Sequence, residues 1–229
     1  MTRIAQTLVE TYLGRDAGRR VLGGRIARGA VERISTALWF SDLRDFTRIA
    51  EAAAPDQLIP FLGEHAETVI EAIHVAGGDV LKLIGDGTLA IFTASDPAEA
   101  CRAALAAAEQ AIAAIAALGR RRASSGLAAT TLYLGLHFGD VFFGNIGSRE
   151  RLDFTVVGPA VNEVSRIAAM CRSLDQPALI SSRFVSTLGD DARRQLVSVG
   201  RYALRGVGAA QHLFTFDSGA LSLQADFAG

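Results

Sequence analysis

Two aspartates in turn-like settings are the first residues in this chain whose surroundings allow chemistry. Asp42 follows the apolar run Ala37-Leu38-Trp39-Phe40 and Ser41, so it stands where a buried strand ends. Asp86 lies in Gly85-Asp86-Gly87, between the apolar runs Val80–Ile84 and Thr88–Phe92, a pattern that predicts a hairpin. Each aspartate has a plain alternative: a strand-end or helix-cap carboxylate for Asp42, and backbone turn chemistry for Asp86. If the first strand lies beside the hairpin, however, the two carboxylates converge. They then repel unless cations bridge them, and a pair of divalent ions about 3.5–4 Å apart is a common arrangement for phosphoryl transfer.

A third group sits further along. Asn162 and Arg166 are four residues apart in a helical stretch opened by Gly158-Pro159, so they share one face. The planar guanidinium matches phosphate charge, and the amide can orient a sugar oxygen. A surface arginine beside a polar neighbour, or an Arg166–Glu163 pair, would leave the same pattern without function.

The elements that must position these residues alternate from Ala37 onward. After the first strand, Asp45 is a cap candidate for a helix near Phe46, and Pro55-Asp56 opens a helix that Gly77-Gly78 ends. The hairpin follows, with its turn assigned to Asp-Gly. Asp96-Pro97 starts an Ala-rich helix expected to run to Leu118, with a loop over 120–125. A strand pair is expected over Thr130–Phe138 and Val141–Ile146 around Gly139-Asp140, then a helix from Ala160 to about Cys171. Short strands at Ala178–Ser181, Leu196–Leu204 and His212–Phe216 close the chain. This is an α+β pattern. Residues 1 to about 35 differ: a short helix over Ile4–Leu13 and then glycines among Arg15, Arg19, Arg20, Arg25 and Arg28, which reads as a connector.

Composition narrows the field. A net charge of −1 gives no basic field for nucleic acid or an anionic membrane. Cys101 and Cys171 are too few for a disulfide framework, and the four histidines lack zinc spacing. The apolar segment Ala103–Leu118 is interrupted by Glu109 and Gln110, which fits a core helix rather than a membrane span. Gly77-Gly78-Asp79 resembles the start of a diguanylate cyclase turn motif, but Val80 and Leu81 do not continue it.

Taken together, Trp39–Thr47, Lys82–Gly87 and Val157–Arg166 resemble the signature segments of class III adenylate and guanylate cyclases, in the family's order, over about residues 36–217. The resemblance implies a ferredoxin-like βαββαβ core with extra C-terminal strands. It divides the chain into a connector (1–35), a catalytic domain (36–217) and a tail (218–229). It implies Asp42 and Asp86, with the Leu43 carbonyl, as ligands for two divalent ions, Mg2+ or Mn2+. It implies Asn162 and Arg166 as catalytic residues, Lys82 and Thr155 as readers of the purine, and Arg205 as a triphosphate contact. Thr155, where many members carry Asp, resembles the subgroup that includes soluble and cyanobacterial bicarbonate-responsive adenylate cyclases. The pairing chemistry favours ATP: Lys82 can donate to adenine N1 and the Thr155 hydroxyl can accept from the exocyclic amine, whereas guanine reverses both demands. The family assembles head to tail, so a homodimer with shared sites is implied. Also implied are a cytoplasmic catalytic domain and an upstream regulatory module. The non-enzymatic alternative is a degenerate domain that binds nucleotide without turnover.

Overall fold

The computed structural model describes residues 31–147 and 152–217. The expected helix over Ile4–Leu13, most of the connector and the 218–229 tail lie outside the described residues. The chain runs through β1 (Val31–Leu43), α1 (Phe46–Ala52), α2 (Pro55–Val75), β2 (Asp79–Ile84), β3 (Gly87–Phe92), α3 (Pro97–Ser124), β4 (Leu132–Gly147) and β5 (Leu152–Val157). It continues through α4 (Pro159–Leu174), β6 (Ala178–Ser181), α5 (Ser182–Thr187), α6 (Asp190–Arg193), β7 (Leu196–Tyr202) and β8 (Gln211–Phe216).

These strands form one eight-stranded sheet in the order β2-β3-β1-β4-β6-β8-β7, with β5 paired to the far part of β4. The antiparallel β2-β3-β1-β4 part, with α2 and α3 as its crossovers, is the expected ferredoxin-like core, and β6, β8 and β7 extend it. β1 lies at the centre because it alternates cleanly and both its faces are covered. Ala37 and Trp39 face α2 and α3, joining Ile73, Phe92, Ala104, Ile115 and Leu134. Leu38 faces the other way, into a cluster with Leu89, Val141, Phe143, Val156 and Val164 beneath α4. A third cluster joins Tyr133, Ile167, Cys171, Leu179 and Leu213 under the second half of α4.

The helix starts follow local chemistry. Asp96 caps α3 by accepting from the Ala98 N–H at 2.9 Å, and Pro residues occupy the first turns of α2, α3 and α4. α3 is long and apolar enough to cross a membrane by length and composition, but here its small-residue stripe Ala100-Ala104-Ala107-Ala111 is buried against the sheet and α2.

Three expectations are corrected. The strand pair around Gly139-Asp140 is a single 16-residue strand, β4. Gly139 and Asp140 stay in the ladder, opposite Thr36 and Ser35, because β1 is long enough to pair along its whole length. The Asp140 carboxylate accepts from the Ser35 hydroxyl and from Arg33, satisfying it without a turn. Gly139 is needed for a different reason: a Cβ there would come within 2.7 Å of the Ala160 Cβ on α4. The second correction concerns α3, which runs through the predicted loop to Ser124. Arg122 turns inward, donating to the Ala128 carbonyl at 2.7 Å and to Glu64 at 2.6 Å, with its guanidinium over the Phe61 ring. The helix stops only near Gly126, at φ 69°. Third, the hairpin pairs Ile84 with Gly87, so the two turn residues are Gly85 and Asp86, with Gly85 supplying the positive φ of 63°.

Candidate active site

The centre of the site is the junction of β1 with the β2–β3 hairpin. The register Ser41↔Thr88 places the end of β1 against the start of β3, so Asp42 and the turn residue Asp86 become neighbours. Both carboxylates accept from one donor, the Leu43 N–H, at 2.9 Å for Asp42 and 3.2 Å for Asp86. Asp42 is exposed as a residue, yet its carboxyl is pushed from 3.8 up to about 7. Partial removal from water is the largest cause, followed by the hydrogen bond and repulsion with Asp86; the Leu43 N–H and Arg172 act in the opposite sense. One donor cannot neutralise two carboxylates. A hard divalent cation would, and an oxygen pair at adjacent strand ends suits one. Among the described residues no group of three or more His, Cys, Asp or Glu gathers, so further ligands would come from water and from substrate phosphates, as is usual for Mg2+.

Asp45, expected as a side-chain cap, takes the N-cap position of α1 with a left-handed backbone (φ 55°), and its side chain makes no cap hydrogen bond. Its carboxylate instead meets Arg172 of α4 at 3.0 Å and Arg44 at 3.9 Å. Arg44 also lies over the Tyr133 ring and near Asp175. The β1–α1 turn is thus tied to the end of α4 by charge.

Lys82 lies opposite Leu89, which points into the cluster under α4, so the lysine shares that side of the sheet. Thr155 is buried on β5 opposite Gly144, and β5 curls far enough to approach β2. The two expected purine readers therefore sit on strands that come together.

Asn162 is exposed near the start of α4. Arg166, one turn later, is half-buried beside Gly206; a Cβ on that glycine would lie 3.9 Å from the guanidinium. Gly206, at φ 75°, turns the β7–β8 loop there, and Arg205 is its chain neighbour. Glu163 does not pair with Arg166. It faces His137 of β4, Oε2 to Nε2 at 3.5 Å. Neither Asn162 nor Arg166 has a side-chain hydrogen bond or ion pair with Asp42 or Asp86 among the described residues, so the structure gathers the eight residues into three groups rather than one.

Sequence reasoning passed over the network under α4. The Ser181 Oγ accepts from the Phe184 N–H at 3.2 Å as the cap of α5, and its hydroxyl lies 2.8 Å from His137 Nδ1. With the Ser181 proton directed to Nδ1, the His137 Nε2–H faces Glu163. Burial holds His137 down at about 4, with Arg183 acting in the same sense, so the imidazole is neutral at physiological pH. Burial also raises Glu163. This chain of contacts fixes the turn of α4 that carries Asn162 and Arg166. Scattered histidines give no sequence signal for it.

Gly135 and Gly139 allow that helix to approach. At Gly135 a Cβ would lie 2.6 Å from the Val164 carbonyl oxygen and 2.7 Å from the Ala168 nitrogen.

Residues 30–216 match the model of the family described as the adenylate and guanylate cyclase catalytic domain. Adenylate cyclase 1 of Rhizobium meliloti is 28% identical over 185 residues, covering 78% of this chain and 27% of the relative. The adenylate cyclase of Anabaena cylindrica is 30% identical over 160 residues, covering 70% of this chain and 32% of the relative. The chain thus spans about a quarter to a third of the length of these relatives. Among solved structures, a bacterial light-regulated adenylyl cyclase superposes with a TM-score of 0.81 at 22% identity, covering 96% of this chain and 65% of that one. The adenylyl cyclase CyaB from P. aeruginosa gives 0.71 at 23%, covering 82% and 96%. The guanylyl cyclase Cya2 gives 0.70 at 24%, covering 82% and 95%. These likenesses describe the fold. With the family match extending over most of its length, this chain belongs to the adenylate and guanylate cyclase catalytic domain family.

Proposed function

We propose that this chain is an adenylate cyclase catalytic domain that converts ATP to 3′,5′-cyclic AMP and pyrophosphate at the interface of a homodimer. The observation that carries the reading is the convergence of Asp42 and Asp86 on the single Leu43 N–H. Two Mg2+ or Mn2+ ions held there, with the Leu43 carbonyl as a further oxygen, would supply charge neutralisation for the triphosphate and acidify the ribose 3′-hydroxyl.

The remaining residues bind and orient. Lys82 donates to adenine N1 and the Thr155 hydroxyl accepts from the exocyclic amine, which disfavours guanine. Asn162 holds the ribose so that its 3′-oxygen lies in line with the α-phosphorus. The new bond is O3′–Pα; the bond to the bridging oxygen breaks, and pyrophosphate leaves with that electron pair, the 3′-proton passing to solvent. Arg166 stabilises the charge that builds on the α-phosphoryl oxygens, and Arg205 contacts the leaving phosphates. The separation of the carboxylate pair from Asn162 and Arg166 within one chain supports a site completed by a second chain, and the exposed apolar side chains Phe142, Ile146 and Val157 on the β4–β5 arm suit such an interface. The division into connector, catalytic domain and tail, with the catalytic domain beginning at β1 rather than at residue 36, belongs to the same proposal, as do the upstream regulatory module and the cytoplasmic setting.

The test is product analysis with ATP or GTP and Mg2+ or Mn2+ over a range of protein concentrations. Cyclic AMP is expected, with specific activity rising with concentration. Asp42→Ala and Arg166→Ala are each expected to lose at least about a hundredfold in turnover, and mixing them should restore activity through one intact site per dimer. Cyclic GMP as the main product would overturn the roles of Lys82 and Thr155, and failure of the mixture to recover would overturn the shared site.

A further inference from the structure

Alternation along β1 carries Leu38, Phe40 and then Asp42 to the face of the sheet that α4 covers. In the β1–β4 ladder Asp42 stands opposite Tyr133, which packs with Ile167 and Cys171 under the second half of α4. The Asp42 carboxyl therefore lies on the side where α4 ends, and Arg172 is in that last turn. Arg172 is also the cation whose field reaches the Asp42 carboxyl.

The Arg172 guanidinium is nevertheless engaged by another group. It donates to Asp45 Oδ1 at 3.0 Å, and its side chain stays 66% exposed. Among the described residues Asp45 is its only hydrogen-bond or ion-pair partner. Arg44 is fastened at more points: to Asp45 at 3.9 Å, to Asp175 at 3.6 Å and over the Tyr133 ring at 5.6 Å. Asp45 thus keeps a cation if Arg172 leaves, whereas Arg172 is a long exposed side chain tethered at one point. Exposed pairs of this kind are weak. A phosphate carries more charge and offers the planar guanidinium a bidentate match.

We propose, on the cyclase reading of the site, that Arg172 is a substrate contact: it leaves Asp45 when the triphosphate reaches the carboxylate pair and donates to the phosphates that depart as pyrophosphate. Asp45 holds the guanidinium beside the site and competes with phosphate for it. Arg172 makes and breaks no covalent bond; it offsets charge on the leaving group. If the pair only tied the β1–α1 turn to α4, loss of either partner would do the same harm. A substrate contact held in reserve gives the two residues opposite effects.

The test measures two quantities on the full chain: KM for ATP with Mg2+, and calorimetric affinity for Mg2+–pyrophosphate, which needs no turnover. Arg172→Ala is expected to raise KM and weaken pyrophosphate binding about tenfold, with Arg172→Lys between it and the parent. Asp45→Asn, which keeps the left-handed turn, is expected to shift both quantities the other way, by roughly two- to threefold. It decides the sign even if the Arg172→Ala chain fails to fold. Movement of the Asp45 and Arg172 variants in the same direction, unchanged pyrophosphate affinity in Arg172→Ala, or no saturable pyrophosphate binding would overturn the proposal. A chain that shows these shifts in pyrophosphate affinity but makes no cyclic nucleotide would sink the cyclase reading and leave the phosphate contact standing. An active parent with Arg172→Ala unaltered would do the reverse.

Discussion

The two faces of the central sheet are built differently. The face under α2 and α3 is closed by Trp39, Phe61, Ile73, Phe92 and a stripe of alanines, and its tolerance for change is set by volume. The face under α4 also has apolar clusters, but the buried Ser181–His137–Glu163 contacts run between them and the helix. Apolar packing fixes how far α2 and α3 stand from the sheet and leaves some freedom to slide. Directional contacts on the other face fix the rotation of α4, and with it the directions of Asn162 and Arg166. Stability and geometry are therefore assigned largely to opposite sides of one sheet.

The contrast is broken most directly at Trp39. Trp39→Ala removes a fully buried ring and its 3.0 Å hydrogen bond to Ser41. It should cost about 3–5 kcal/mol, read as a fall in denaturation midpoint, while cyclic nucleotide production per folded molecule stays near that of the parent. A similar loss of activity at temperatures where the variant is folded would erase the distinction between faces.

Acid titration sharpens it next. His137 is held at about 4 against an ordinary 6.5, so the unfolded chain binds more protons between those values. Its contribution is complete above pH 6.5 and declines as pH falls toward 4, by up to about 3 kcal/mol. The raised Glu163 acts in the opposite sense nearer its own range, and Arg183 is the cation facing both. Urea titrations across pH 4–7 should show the slope flattened in His137→Gln; an unchanged slope would remove His137 as its source.

Gly135→Ala should cost less in stability, about 1–3 kcal/mol, but more in activity. The added methyl meets the backbone of α4, which cannot rotate away as a side chain can. A fall in kcat with the fold intact is expected, and an active, merely destabilised variant would show that α4 tolerates displacement. The smallest effect belongs to Asp45→Asn. Asn accepts the left-handed backbone, and the ion pair it loses with Arg172 is largely exposed. Its stability should change by less than about 1 kcal/mol, diminishing with salt.

Much of this architecture was legible before any coordinates. Alternation at Ala37–Phe40 gave the central strand, and glycine-bounded apolar runs gave the hairpin that brings Asp86 to Asp42. What failed was punctuation. Gly139-Asp140 has the composition of a turn, but a glycine in a strand also serves close approach by a helix, and sequence does not separate the two uses. The polar stretch over 120–125 has the composition of a loop, but Arg122 is received by Glu64 and the Ala128 carbonyl, so the helix continues through it. The His137 network was invisible because its members come from β4, α4 and β6, joined only by the folded sheet. The short helices α5 and α6 went unanticipated for want of length to show a period.

The long β1–β4 ladder has a consequence for how the molecule comes into being. Its partners, from Val31↔Gly144 to Leu43↔Leu132, are roughly a hundred residues apart in the chain, and such distant pairings are slow to close. During synthesis the β2–β3 hairpin and α2 can assemble on β1 early, but the other edge of β1 stays open until β4 has emerged. An open edge in a strand this apolar invites pairing with other chains. Arg205 arrives later still, on the loop before the last strand. The proposed site is therefore assembled late in synthesis, and the exposed edge of β1 is the hazard the nascent chain carries until β4 arrives.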